Sequence, residues 1–374
     1  MSLFKCDIYD KNRNWIAPIG AFESVEGTVR FDNISDFEIT VKATHKRLGA
    51  LLTPGNKLKL RMRDETLIEG PIRSHQGSGP GQSSTFTFGV EDNFRVLRNY
   101  LVFQVPGGTM AAQAGAYNYT ITGDMETVFK DIVSKNLGTR GWEPIFVAPN
   151  LNRGSTVTSS ARMATVYNEL FPLLEERGLG AKVTASPAGL TVDVYVPGTY
   201  AGPKLTEQSR IIRKWKYNLS APDVTNVILG GGGEGTARIF RERWDIVRQN
   251  LWGDQIEVFR DARDTSSTTV LNERGDETLF DGRGEASLEV EFGETSNFKF
   301  MGPNGVRIGQ VVTAEVAGGA VSVTDVLREV DFSYDADEGL KLKGQIGRKV
   351  EPNAKMAQAI TKLAGSFDKL KASQ

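Results

Sequence analysis

The sequence predicts a mainly β protein with an α+β part: two related small β-barrels, an inserted α/β domain and a C-terminal helix. Three observations carry this reading. Apolar and polar residues alternate with a period of two through the first and last thirds of the chain. Helical stripes are confined to the middle and the end, and 40 glycines in 374 residues supply the tight turns that many short strands need. A chain of this length exceeds one core. The expected division is an N-terminal barrel over 1–105, an α/β domain over 106–204, a second β-rich barrel over 205–350 with an insertion at about 245–285, and an amphipathic helix over 351–374.

In chain order, Phe37, Ile39 and Val41 alternate with Glu38, Thr40 and Lys42, and Leu58, Leu60 and Met62 alternate with Lys59, Arg61 and Arg63. Phe86, Phe88 and Val90 repeat the pattern, so each of these strands buries one face. Pro54-Gly55 and the Gly77 to Gly81 stretch are turn signals, the second long enough for a mobile loop. A closed or nearly closed antiparallel barrel satisfies such strands without long free edges. Met125, Val128, Phe129, Ile132 and Val133 then form one helical stripe that ends at Gly138. A second helix is expected from about Ala161 to Arg177, kinked or shortened by Pro172. Strand character returns at Ile211 to Leu219, at Gln255 to Phe259 and at Ala286 to Phe292, with a polar excursion or short helix between Asp264 and Gly284. Three or four strands follow between Gly305 and Gly347. Their Ile308-Gly309 opening echoes Pro54-Gly55 in pattern, which suggests two related barrels. At the end Met356, Ile360, Leu363, Phe367 and Leu370 recur at spacings of four and three, an a/d seam too short to be stable alone.

Composition excludes several functions. Forty-five basic and 46 acidic residues leave a formal charge of -1, so no overall field draws in nucleic acid or an anionic membrane. Cys6 is the lone cysteine and His45 and His75 the only histidines, which removes a disulfide framework, a cysteine-based zinc cluster and most Ser-His chemistry. The N-terminus has no basic region followed by an apolar one, and no apolar run reaches the roughly 18 residues a spanning helix needs, so synthesis in a cytoplasm is expected. No cofactor is expected.

The stretch from Asp223 to Arg243 joins the two halves. A short apolar run ends in Gly230 to Gly233, continues through Gly235, and enters a segment with Arg238, Phe240, Arg241 and Arg243. Gly230, Gly232 and Gly235 fit G-x-G-x-x-G, but that motif requires a helix after the glycines, and Thr236 to Asp245 carries no helical stripe. A glycine turn where two backbones pass closely is the reading preferred here. Ser74 beside His75 lacks triad geometry. Asp261 and Asp264 beside Arg260 and Arg263, and Glu289 with Glu291, read as paired or solvated surface rather than a glycosidase acid and base. Lys57, Lys59, Arg61 and Arg63 line one face of a strand, read as a solvated edge.

The order of these parts, and above all Val224 to Arg243 and the Gly305 to Gly347 region with its Arg-Ile-Gly-Gln-Val-Val opening, resembles the siphovirus-type minor tail proteins of actinobacteriophages, which are similar to the baseplate or tail-tip hub of phage tails. The resemblance implies tail-tube-like barrels, duplicated so that a homotrimer presents six similar units. It implies a structural, non-enzymatic subunit of the virion tail tip that closes the tail tube and adapts sixfold to threefold symmetry. Its partners would be the distal tail protein or tube ring, the tape measure protein, other tip proteins, and phage DNA in transit. No catalytic or metal-binding residue is implied; the expected interface residues are Gly230, Gly232, Gly235, Arg238, Arg241 and Arg243, with Met356, Ile360, Leu363, Phe367 and Leu370 of the terminal helix. A tail-associated cell-wall hydrolase and a receptor- or carbohydrate-binding tail protein, with Trp142 and Trp252 as the groups to watch, are the alternatives.

Overall fold

The computed structural model describes residues 3–335 and 337–348. They fall into two compact units, one of Met1–Trp215 with Val290–Gly344, the other of Lys216–Glu289 with the described residues after Gly344.

In the first unit, strands β1 (Phe4–Tyr9), β2 (Trp15–Ile19), β3 (Ser24–Arg30) and β4 (Asp36–Lys42) precede a short helix α1 (Leu48–Leu52). A meander of β5 (Lys57–Met62), β6 (Glu65–Ser78) and β7 (Thr85–Glu91) follows, then α2 (Val96–Asn99). Alternation becomes burial as expected: Phe37, Ile39 and Val41 of β4 are fully enclosed, as are Leu58, Leu60 and Met62 of β5. The Gly77 to Gly81 stretch is the tip of the β6–β7 hairpin, with β6 running as far as Ser78.

The middle of the chain adds β8 (Tyr119–Asp124), α3 (Met125–Asn136), β9 (Ile145–Val147), β10 (Thr156–Ala161), α4 (Val166–Glu176), β11 (Gly180–Ser186), β12 (Gly189–Tyr195) and the short β13 (Leu205–Thr206). Asp124 caps α3 by accepting from the Thr127 amide at 2.9 Å, and Thr165 caps α4 by accepting from Asn168 at 3.1 Å. That cap, and the pairing of β10 with β8, start α4 later than the apolar stripe suggests. Pro172 lies within α4, which nevertheless continues to Glu176. Val128, Phe129, Ile132, Leu170, Leu174 and Val192 pack into one core between these helices and strands.

After β14 (Ile212–Leu219) come β15 (Asn226–Gly230), β16 (Phe240–Trp244), α5 (Ile246–Trp252), β17 (Glu257–Asp261), α6 (Thr268–Asp281) and β18 (Ala286–Phe292). The chain then makes β19 (Val311–Val316), β20 (Val321–Asp335) and β21 (Gly339–Ile346). The boundary between units falls within β14, β18 and β21.

No closed barrel forms among the described residues, contrary to the expectation of two. In the first unit the strands run β20-β3-β4-β7-β6-β5-β1-β2, all antiparallel. Register shifts between Leu60 and Arg61 and between Ile72 and Ser74 bend this sheet at β6, whose first half pairs with β5 and second half with β7. The sheet curls until Phe4 of β1 stacks on Phe332 of β20 at 5.7 Å. Closure by hydrogen bonds is blocked because both edges it needs are occupied: β1 pairs outward with β2, and β20 lies between β3 and β21. The strands after Ile211 do not make a separate barrel either, since β20 joins the first sheet through β3 while β15, β16 and β17 form a sheet of their own.

A local echo is visible. Gly55, with φ +87°, and Gly309, with φ +81°, each turn the chain shortly before a strand that hairpins with a long partner, β5 with β6 and β19 with β20.

Candidate functional site

The Asp223–Arg243 stretch builds the centre of the second unit. β15 is the middle strand of the β16-β15-β17 sheet, antiparallel to β16 and parallel to β17. Val227 and Leu229 point to α6 and form a small core with Val224, Ala262, Leu271 and Leu279. Thr225 anchors the entry: its hydroxyl accepts from the Ile256 amide at 2.8 Å.

The glycines serve close passage within this unit. The Gly231 amide donates to the Ile239 carbonyl and the Gly232 amide to the Thr265 carbonyl, both at 2.7 Å. A Cβ on Gly231 would lie 2.8 Å from Leu271, and one on Gly232 would lie 2.6 Å from the Ser266 hydroxyl. Gly233 has φ +103° and Gly235 φ +55°. Beyond them comes a single 3-10 turn, Gly235–Ala237, and then β16. Strand, turn and strand is not the phosphate-binding order, and the two amides best placed to cradle an anion already have carbonyl partners.

Arg238 folds back over this turn, donating to the carbonyls of Gly230 at 3.0 Å and Gly231 at 3.2 Å, pairing with Asp261, and lying over the rings of Phe240 and Phe259. Arg243 makes a bidentate pair with Asp276 of α6, at 2.7 and 2.9 Å. Arg241 is exposed. Of the three arginines, two are thus engaged inside their own unit, while Met356, Ile360, Leu363, Phe367 and Leu370 lie outside the described residues.

The feature that sequence reasoning missed is the other face of this sheet. Residues opposite one another in a ladder share a face, which puts Asn226, Trp244 and Glu257 in one row, Ile228, Glu242 and Phe259 in the next, and Gly230, Phe240 and Asp261 in a third. α6 covers the opposite side. Phe240, Trp244 and Phe259 are 57%, 41% and 54% exposed, and the neighbouring α5 exposes Ile246, Val247 and Leu251. Nine of the nineteen large hydrophobic residues exposed among the described ones belong to this unit, a fraction far above its share of the chain. Such a density exceeds the single, scattered exposure usual on a soluble surface. The signal lay in the alternation of Phe240, Glu242 and Trp244 with Arg241 and Arg243, a strand with an aromatic face and a basic face.

Polar groups on that face are mainly acceptors, and Glu257 also takes a hydrogen bond from Gln255 at 2.8 Å. The Asn226 amide nitrogen donates to Glu242 at 3.0 Å and Glu257 at 3.4 Å, and its buried carbonyl oxygen has no partner. Hydrogen bonds from Trp244 and Asn226 hold the Glu242 carboxyl below its usual pKa. Among the described residues no basic side chain pairs with Glu242 or Glu257.

The remaining candidates have structural partners. Lys57, Lys59, Arg61 and Arg63 do not form a solvated edge: β5 lies between β1 and β6, and the four pair with Glu143 at 3.1 Å, Glu69 at 2.9 Å, Asp7, and Glu294 at 2.6 Å. Asp261 pairs with Arg238 and Arg263, Asp264 with Arg274, and Glu291 with Lys214. His75 packs on Phe88, and the His45 ring accepts from the Arg47 amide. Cys6 is buried, and burial pushes its thiol pKa up. No cluster of three or more metal-ligating side chains occurs among the described residues. Trp142 is 93% exposed in the turn between α3 and β9, and Trp252 is less so at the end of α5.

Comparison with solved structures finds the same fold in phage tail proteins. The 43 kDa tail protein of prophage MuSo2 from Shewanella oneidensis aligns with a TM-score of 0.61 at 13% identity, over 92% of this chain and 98% of that one. The tail protein from Neisseria meningitidis MC58 gives 0.60 at 12% identity, over 93% and 97%. Prophage tail protein gp18 from Listeria monocytogenes EGD-e gives 0.55 at 12%, over 96% and 99%. Comparison with curated proteins by sequence gives no match. The family described as Siphovirus ReqiPepy6 Gp37-like protein matches residues 5–348, nearly the whole chain, so this protein, with the fold of phage tail proteins, belongs to that siphovirus family.

Proposed function

We propose that the protein is a structural subunit of a siphovirus tail tip, a homotrimeric hub that closes the distal end of the tail tube and matches its sixfold symmetry to a threefold tip. The observation that carries this reading is the correspondence of nearly all of this chain with nearly all of three phage tail proteins. The repeated glycine-turn and hairpin at β5–β6 and β19–β20 supports a duplicated building block, which a trimer needs in order to present six similar surfaces. Gly230, Gly232, Gly235, Arg238, Arg241 and Arg243 shape and flank the assembly surface of the second unit in this reading. The hub is made in the host cytoplasm and resides in the virion. It contacts the distal tail protein or tube ring and other tip proteins, and surrounds the path of the tape measure protein and then of DNA. It has no enzymatic role.

Mass photometry of the full chain tests the oligomer. The expected species is about 123 kDa, three times the 41.0 kDa chain. A 41 kDa species alone, together with a tail tip lacking threefold density for this protein, would overturn the hub. Zymography on cell-wall substrate is expected to show no clearing. The exposure of Trp142 favours one second reading, a glycan-binding tail protein, and specific glycan binding lost in Trp142→Ala would establish it.

A further inference from the structure

The β16-β15-β17 sheet has two edges. β15 is paired on both sides, whereas β16 and β17 each pair with β15 alone among the described residues. Four of the five residues in each of these two strands are exposed. α6 packs on a face of the sheet and not on an edge, since its Gly275 sits against Leu229 of β15 and Arg243 of β16. An open groove of about 650 Å³ follows β16, lined by Phe240, Arg241, Glu242 and Arg243 with Ile228 and Asn272. Phe240 and Glu242 point to one face and Arg241 and Arg243 to the other, so this groove wraps the outer edge of the strand. Soluble proteins blunt such edges with lysine, proline or a bulge. Neither strand has any of these, and both expose aromatic rings, Phe240 and Trp244 on one and Phe259 on the other.

The two edges fit each other. Both strands have five residues, and because β16 is antiparallel and β17 parallel to β15, they run in opposite directions. β17 of a second copy can therefore extend the sheet beside β16 as an antiparallel neighbour. With the rows kept level, Glu242 meets Phe259 and Trp244 meets Glu257, so the two carboxylates that lack basic partners do not oppose each other. Arg241 meets Arg260, whose charge Glu277 already answers at 2.8 Å. A contact between opposite edges of one sheet is heterologous, and it repeats from copy to copy until the rotation closes.

We propose that copies of this chain join by strand addition, β16 of one copy pairing antiparallel with β17 of the next, and that three copies close the ring. The inference rests on the trimer proposed above and adds the surface that makes it. A closed ring leaves neither edge free. It also brings the exposed rings of Phe240, Trp244 and Phe259 from neighbouring copies onto one continuous face.

Cysteine pairs in the full chain test it. Glu242 and Phe259 share a row but flank β15, so within one chain they lie two strand spacings apart, roughly 9.5 Å, beyond the reach of a disulfide. Both are exposed, which spares the core, and the native Cys6 is buried. On oxidation, Glu242→Cys with Phe259→Cys should give a covalent species three times the 41.0 kDa chain, which reductant dissociates, and each single variant should give none. Glu242→Cys with Glu257→Cys, or with Asp261→Cys, covers a slip to the neighbouring row on either side. If the wild type is trimeric by mass photometry and no pair cross-links, the trimer stands and the edge pairing is overturned. If the wild type is monomeric and no pair cross-links, both fall. Covalent dimers of Glu242→Cys alone would mean that β16 meets β16, and a ladder beyond three copies would mean that the ring does not close; either result overturns the proposal.

Discussion

Asp32 shows how a single residue ties burial to pH. It sits at φ +52° after β3, and its carboxylate accepts from the Ala181 amide at 2.8 Å at the start of β11. Burial raises its pKa to about 7, against the opposing effects of that hydrogen bond and of Arg328. The sign follows from linkage. The folded state holds the proton more tightly than the unfolded one, so the contribution to stability is full below pH 3.8 and is lost as pH rises through about 7. Asp32→Asn keeps an acceptor for Ala181 and tolerates positive φ, but does not titrate. The variant should match the wild type near pH 3.5 and exceed it at pH 8 by on the order of 1 kcal/mol, since the side chain keeps some exposure and screening. Denaturant titrations at the two pH values measure this, and equal differences at both would refute it.

Gly233 and Gly235 separate two uses of glycine that look alike in sequence. Gly233 holds φ +103°, and a Cβ there would run into the Ala237 carbonyl; Gly235 holds φ +55° with open space around it. Gly233→Ala should destabilise the second unit by about 1–3 kcal/mol, whereas Gly235→Asn should be nearly neutral, because Asn tolerates the left-handed region. The glycine run was legible as a turn. Which glycine is indispensable was not, because that depends on Ala237, Ser266 and Leu271 arriving from other parts of the fold.

At the scale of elements, period-two and period-3.6 patterns identified β4, β5, β7, α3 and β18, because each has one buried and one wetter side. The five-residue α1 carries too few residues to show a period. β5 was legible as a strand but misread as an edge, since nothing local announces that β1 returns to pair with it. Its partners make a prediction. Glu143, between α3 and β9, accepts from Arg13 at 2.7 Å and Lys57 at 3.1 Å, and both cationic side chains are nearly enclosed. Burial, then the nearby Arg13, lowers the Lys57 pKa. Glu143→Gln leaves two enclosed cations without their shared anion and should cost about 3 kcal/mol. Adding Lys57→Met removes one of those cations and should recover part of the loss, so the double-variant cycle should show coupling of at least about 1 kcal/mol. Additive losses would mean that Glu143 contributes packing alone.

At the scale of the molecule, the part hidden from the sequence is long-range pairing. β3 and β20 are some 300 residues apart, yet their ladder runs from Arg30–Glu329 to Ser24–Asp335, with the Thr28 hydroxyl donating to Asp331 at 2.7 Å. That ladder merges strands which the local pattern assigns to separate barrels. The first unit therefore depends on residues from both ends of the chain, while the second has its own small core of Val224, Val227, Leu229, Ala262, Leu271 and Leu279. Two cores of unequal size should not melt as one cooperative system. Phe332 is buried and stacked on Phe4, so Phe332→Ala should cost about 3–5 kcal/mol and move only the transition of the first unit. Gly233→Ala should move only the transition of the second. The two can be followed separately by hydrogen exchange in β4 and β15 across a denaturant series. If either substitution shifts both transitions equally, the chain folds as a single unit, and the division into two cores has no thermodynamic meaning.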